Sequence, residues 1–117
     1  MKQSYQLRVL LTQDLRLVVG RLGSFNFPAG EYVYTGSARK NLEARVARHL
    51  AGAKKLHWHI DYLLASPNVR VVEVELSEVA ECELNRGTAG TVLVPRFGAT
   101  DCRSGCGSHL KYLGQGV

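Results

Sequence analysis

The hydrophobic period of this chain changes at Asn41, and that change limits its fold more than any other feature. Before it, YQLRVLLT (5–12) places Tyr5, Leu7, Val9 and Leu11 at a period of two, the pattern of a strand with one buried face. Asp14 closes that run, and LRLVVGRL (15–22) is expected to return as its antiparallel hairpin partner. The turn formers and Pro28 of GSFNFPAG (23–30) predict a loop, and the β-formers of EYVYTG (31–36) predict a third strand. From Asn41, a good N-cap, the period lengthens. Leu42, Val46 and Leu50 recur every four residues, as on an amphipathic helix that closes near Gly52. A small antiparallel sheet followed by helices is an α+β arrangement.

The rest of the chain extends this pattern. A second helix is expected from about Leu56 to Ala65, ahead of Pro67, and VRVVEVEL (69–76) as a strand. The alternate residues Val69, Val71 and Glu73 do not give that strand two clean faces. A third helix over Ser77 to Asn85 takes Ser77 as its N-cap, and Leu93–Phe97 and Leu110–Leu113 read as short extended pieces. At 117 residues and 45% hydrophobic composition, the expectation is one folded domain over 1–117 rather than a disordered tail. No stretch approaches the ~20 apolar residues of a membrane span, and the N-terminus lacks the apolar segment of a secretion signal. A cytoplasmic protein without a membrane partner is the simplest expectation. Three cysteines, an odd number, fit reduced thiols better than a disulfide framework.

The net charge of +5 suits a polyanionic partner, and its distribution says more than its size. Arg39, Lys40, Arg45, Arg48, Lys54 and Lys55 hold six of the 15 basic side chains in one stretch whose only acid is Glu43. On the expected helix Arg45, Arg48 and His49 read as a shared face, opposite Leu42 and Val46. The arginine fork matches phosphate oxygens, and histidine moves protons near neutral pH. A solvated cationic face is the plainer reading of that helix taken alone. Tyr32 and Tyr34 share one side of their strand, and Gly36-Ser37 allows a sharp turn or the close approach of a substrate backbone.

Taken in order, Tyr5, then Tyr34-Thr35-Gly36-Ser37-Ala38, then Arg45 and His49 on the next helix and an acid on a later one, form a pattern that resembles the GIY-YIG nuclease superfamily. Gly30-x-Tyr-Val-Tyr-x-Gly-Ser-Ala38, Trp58-His-Ile-Asp-Tyr-Leu63, Glu81-Cys82, Phe97-Gly98-x-x-Asp-Cys102 and Ser108-His109-Leu110 resemble a subfamily of small stand-alone members of unknown function. The resemblance runs over nearly the whole chain. It implies a central three-stranded antiparallel sheet flanked by helices, and phosphodiester hydrolysis assisted by one divalent metal, Mg²⁺ or Mn²⁺. It implies catalytic roles for Tyr5, Tyr34, Arg45, His49 and Glu81. Glu81, rather than Glu83, would be the metal ligand. Gly36, Ser37, Arg39, Lys40, Arg48, Lys54 and Lys55 would contact the nucleic acid. One carboxylate suffices for a hard cation that keeps its waters, Arg45 would balance phosphate charge, and a tyrosine whose pKa the metal and Arg45 lower would assist water attack. The chain departs from the family at Ser4-Tyr5-Gln6, which lacks the usual glycine and isoleucine, and Asn85 is the one late asparagine.

His59, Asp101 and His109 are further cleft candidates. His59 divides evenly between the cleft and a local polar network, in which Asp61 would orient the helix; His57 could also reach the cleft. Cys102-x3-Cys106-x2-His109 is not zinc-knuckle spacing, and a fourth ligand would have to come from Cys82, His57 or His59. Thiols that pack the tail are preferred over zinc there. The expected function is a metal-dependent endonuclease on DNA, with RNA as the lesser alternative and a protein partner as a possible source of specificity. Its rivals are a nucleic-acid-binding module without turnover and a docking partner of a repair enzyme. No separate element for reading base edges is evident, which argues against a sequence-specific cutter.

Overall fold

The computed structural model describes residues 2–37, 41–51, 56, 58–99, 102 and 105–115. It is a small α+β structure built on a four-stranded antiparallel sheet rather than the expected three-stranded one. Strand β1 (Ser4–Leu11) lies inside the sheet between β4 (Gly30–Ser37) and β5 (Val69–Ser77), and β6 (Leu110–Gly114) adds to the free side of β4. The period-two residues Tyr5, Leu7, Val9 and Leu11 are all buried. Across the ladder Tyr5 meets Gly36, Leu7 meets Tyr34 and Val9 meets Tyr32, so the tyrosines of β4 share the core face of β1. Central position buries β4 on both faces, and Val33 and Thr35 are covered as well.

The irregular pattern of β5 has a local cause. Arg8 pairs with Glu73 and Val9 with Val71, so Val72 is an extra residue opposite the step between them. This bulge resets the phase: Val69 and Val71 face Leu11 and Val9 before it, and Val74 faces Leu7 after it.

Residues 15–30 differ from expectation. β2 (Leu15–Val19) pairs with β3 (Gly23–Phe27), inside the segment expected to be a loop, and not with β1. A short 3-10 turn, Gly20–Leu22, reverses the chain, with positive φ at Gly20 and Gly23 where other residues would be strained. Leu15 and Leu17 stand opposite Phe27 and Phe25, which gives the ribbon one apolar face. Phe27 and Val19 carry it into the core.

Helix α1 (Leu42–Leu50) starts where expected, but Asn41 adopts a left-handed conformation and its side chain makes no cap bond. Its buried face also differs. Leu42 and His49 are buried while Leu50 is exposed. At 3.6 residues per turn, Arg45, Val46 and His49 fall three, four and seven residues after Leu42, on Leu42's own face and not opposite it. Helix α2 (His59–Leu64) is shorter than expected and sends Ile60 and Leu63 into the core. Helix α3 (Glu81–Arg86) begins later than expected, because Ser77 completes β5 opposite Ser4 and its Oγ accepts from Val79 N–H at 3.0 Å. Residues 94–99 form turns rather than an extended piece, with Arg96 at positive φ. Among the described residues no helix is long and apolar enough to cross a membrane.

Candidate functional site

The Tyr5 end of the sheet collects side chains from four elements. Tyr5 Oη lies 2.6 Å from His49 Nε2, which joins β1 to α1. The Tyr34 ring stands near both, with centroids 6.4 Å from Tyr5 and 6.2 Å from His49. Gly36 makes this packing possible, since a Cβ there would overlap the Tyr5 ring and hydroxyl. Its missing side chain therefore accommodates a tyrosine, and Gly36 is buried.

The arginines of α1 turn toward the protein. Both guanidinium groups lie over the Trp58 ring, 4.7 Å from its centroid for Arg45 and 4.3 Å for Arg48. Arg45 also donates to Ser37 O at 2.7 Å. Arg48 donates both fork nitrogens to the fully buried Asp61, at 2.9 and 3.0 Å. The backbone N–H of Trp58, at 2.8 Å, is a further donor to that carboxylate. A buried carboxylate needs such a set of donors, so Arg48 serves Asp61 where phosphate contact had been expected of it. Asp61 thus orients the start of α2, as one of its two sequence readings had it. His59 Nδ1 accepts from Gly98 N–H at 2.8 Å and its ring packs on Phe97, the structural reading of that residue.

Burial is the largest influence on the tyrosine pKa values. It raises Tyr5 and Tyr34 far above the usual phenol pKa; Glu81 and Asp61 add to this, and the opposing pull of Arg45 is smaller than the effect of burial. Arg45 alone therefore does not lower either phenol, and Tyr5 is held in its hydrogen bond with His49.

Glu81, at the start of α3, joins this cluster to a second one. Its Oε1 accepts from Ser37 Oγ at 3.3 Å, and its Oε2 lies 3.2 Å from His109 Nδ1. The other nitrogen of His109 faces sulfur, with Nε2 4.0 Å from Cys82 Sγ. Cys82 Sγ is 3.5 Å from Cys102 Sγ, and no disulfide links the three thiols. Cys82, Cys102, Cys106 and His109 each offer one ligand atom, all within 4.8 Å of one another, and could hold a metal ion. Burial, with Cys82 and Cys102 beside it, pushes the Cys106 thiol up to about 12. Burial pulls the pKa of His109 down, but Glu81 and Cys102 more than offset it and the net direction is up. The fourth donor that spacing left open among Cys82, His57 and His59 is Cys82 in this group.

Of the remaining candidates, Arg39, Lys40, Lys54, Lys55, His57 and Asp101 lie outside the described residues. Asn85 is buried and donates to Ser108 O at 2.9 Å, a structural role. Sequence reading overlooked Trp58 as the platform for both arginines and left Cys82 as one of three candidates for the fourth donor. The available signals were the adjacency of Glu81 and Cys82 and the confinement of all three cysteines to residues 82–106.

The family model described as Domain of unknown function DUF123 matches residues 4–116, and the chain belongs to that family. No curated protein and no solved structure matches it.

Proposed function

We propose that this DUF123 member is a divalent-metal-dependent endonuclease of the GIY-YIG type, acting on phosphodiester bonds of DNA in preference to RNA, in the cytoplasm. The observation that supports this reading is the convergence of Tyr5, Tyr34, His49, Arg45 and Glu81, from β1, β4, α1 and α3, at one end of the sheet. Glu81 would hold a Mg²⁺ or Mn²⁺ ion. It is a partly exposed carboxylate with lone pairs beyond its contacts to Ser37 and His109, and such ions complete their shell with water and phosphate oxygens. When bound, the ion polarises the phosphoryl oxygen and stabilises the leaving alkoxide.

The chain's own residues carry the proton and the charge. Attacking water gives its proton to Tyr5 Oη while Tyr5 passes its own to His49 Nε2, along the 2.6 Å bond, so no phenolate forms inside the core. Arg45, fixed by Ser37 O and Trp58, offers its remaining N–H groups to the phosphate as charge builds. Tyr34 walls the site and keeps water off His49.

A second reading, a binding module without turnover, is favoured by one observation: Tyr5 and His49 are each only 2% exposed. A protein partner that opens or directs the site would fit either reading. Labelled duplex, single-stranded, flap, branched and abasic DNA, plus RNA, incubated with Mg²⁺ or Mn²⁺, separates the two. Metal-dependent cutting that is lost in Tyr5→Phe and in Glu81→Ala is the expected result. Salt-sensitive binding without cutting in any lane would establish the second reading instead.

A further inference from the structure

We propose that Cys82, Cys102, Cys106 and His109 form a tetrahedral zinc site, in which Glu81 holds the His109 ring through Nδ1 and presents Nε2 to the ion. This assignment does not depend on the nuclease reading. The donor set carries the first part of it. Three thiols and an imidazole are the soft and borderline ligands that select zinc, and Cys₃His is one of its structural ligand sets.

The spacing carries the second part. With Zn–S near 2.3 Å and Zn–N near 2.0–2.1 Å, a tetrahedron has edges of about 3.8 Å between sulfurs and about 3.6 Å between sulfur and nitrogen. The observed 3.5 Å from Cys82 Sγ to Cys102 Sγ and 4.0 Å from Cys82 Sγ to His109 Nε2 match those edges. A disulfide would need about 2.05 Å. The third part is orientation. A zinc-ligating histidine usually gives its other nitrogen to a carboxylate, which fixes the tautomer and the ring plane. Glu81 Oε2, 3.2 Å from His109 Nδ1, is in that position.

The placement gives the site a structural task. Cys82 belongs to α3, Cys102 and Cys106 to the turn-rich segment, and His109 directly precedes the edge strand β6. One ion would tie these three parts together. It would also fix the partner of Glu81, so Glu81 is a positioning residue for the ion and not one of its ligands.

The test uses the full chain purified without chelator. Elemental analysis is expected to find one zinc per chain. After exchange, Co²⁺ is expected to give the intense visible bands of a tetrahedral ion together with thiolate-to-cobalt charge transfer. Cys82→Ser and Cys106→Ser should each weaken that charge transfer. Glu81→Gln should keep the full thiolate spectrum but bind Co²⁺ about 10–100-fold more weakly. If Cys82→Ser fails to fold, the wild-type spectrum and the Glu81→Gln titration still decide. A chain that carries no metal, carries iron or copper in its place, forms a Cys82–Cys102 disulfide, or binds Co²⁺ without charge transfer would overturn the assignment. Unchanged affinity in Glu81→Gln would overturn the role given to Glu81.

Discussion

The two clusters that meet at Glu81 solve the same problem, polar groups inside a small domain, in opposite ways. In the first, buried and half-buried groups bind each other directly: Tyr5 to His49 at 2.6 Å, Arg48 to Asp61 at 2.9 Å and Arg45 to Ser37 O at 2.7 Å. In the second, donor atoms from three parts of the chain lie within 4.8 Å of one another, with Cys82 Sγ 3.5 Å from Cys102 Sγ and 4.0 Å from His109 Nε2, and Glu81 stands 3.2 Å from His109 Nδ1. The first cluster therefore rests on protein hydrogen bonds, and the second is suited to hold itself together through an ion. The two should respond differently to chelation, mutation and pH.

Chelation should have the largest effect. If free zinc stands at 1,000 times its Kd, binding stabilises the fold by about 4 kcal/mol, on the order of 15 °C in Tm for a domain of this size. Calorimetry with and without chelator should show that loss, and the same comparison in Cys106→Ser should show almost none. Arg48→Ala removes both guanidinium hydrogen bonds from the buried Asp61 carboxylate, and should cost about 3 kcal/mol by denaturant titration. Asp61→Asn combined with Arg48→Ala should cost less than the two single changes added together. Gly36→Ala drives a methyl into the Tyr5 ring and should cost about 2 kcal/mol, part of which Tyr5→Leu restores in the double variant.

The smallest effect is that of alkaline pH on the tyrosines. Burial raises Tyr5, Tyr32 and Tyr34 above the ordinary phenol value of about 10. A group raised in the folded state contributes fully below its unfolded pKa, and that contribution is lost as the pH climbs toward the native value. Stability should therefore start to fall near pH 10, by roughly 1 kcal/mol in total at that point, as the unfolded chain ionises there and the native chain does not. Absorbance at 295 nm should show these three phenols ionising only when the protein unfolds. Their ionisation in the intact fold near pH 10 would contradict the burial of the cluster.

The sheet centre was legible because its signal is local. Tyr5, Leu7, Val9 and Leu11 alternate without interruption, and both their burial and the β4 pairing follow. The signal failed where one residue changed the phase or the partner. Val72 interrupts the alternation of β5, and the short β2 and β3 pair with each other across a glycine turn that looks like loop sequence. Ser77 has the composition of a helix cap but completes a strand.

At the site, residue types proved more legible than directions. Tyr5, Tyr34, Arg45, His49 and Glu81 were singled out and do gather at one end of the sheet. His49 was placed on the solvent face because Leu50 looked like the third apolar contact of α1. The seven-residue spacing from Leu42 to His49 gives the direction that folding adopts. The Cys/His cluster was named but its fourth member stayed open among Cys82, His57 and His59, because spacing rules see only near neighbours and Cys82 lies 20 residues before Cys102. Tertiary structure, not local sequence, brings those donors together.

That the two clusters act through one carboxylate is tested most directly by Glu81→Gln, with Co²⁺ affinity and Mg²⁺-dependent DNA cleavage measured on a single preparation. The account predicts that both fall together, the affinity about 10–100-fold, while the thiolate-to-cobalt spectrum stays intact. Cleavage that persists at the wild-type rate while metal affinity drops, or affinity that holds while cleavage is lost, would show that Glu81 serves only one of the two clusters.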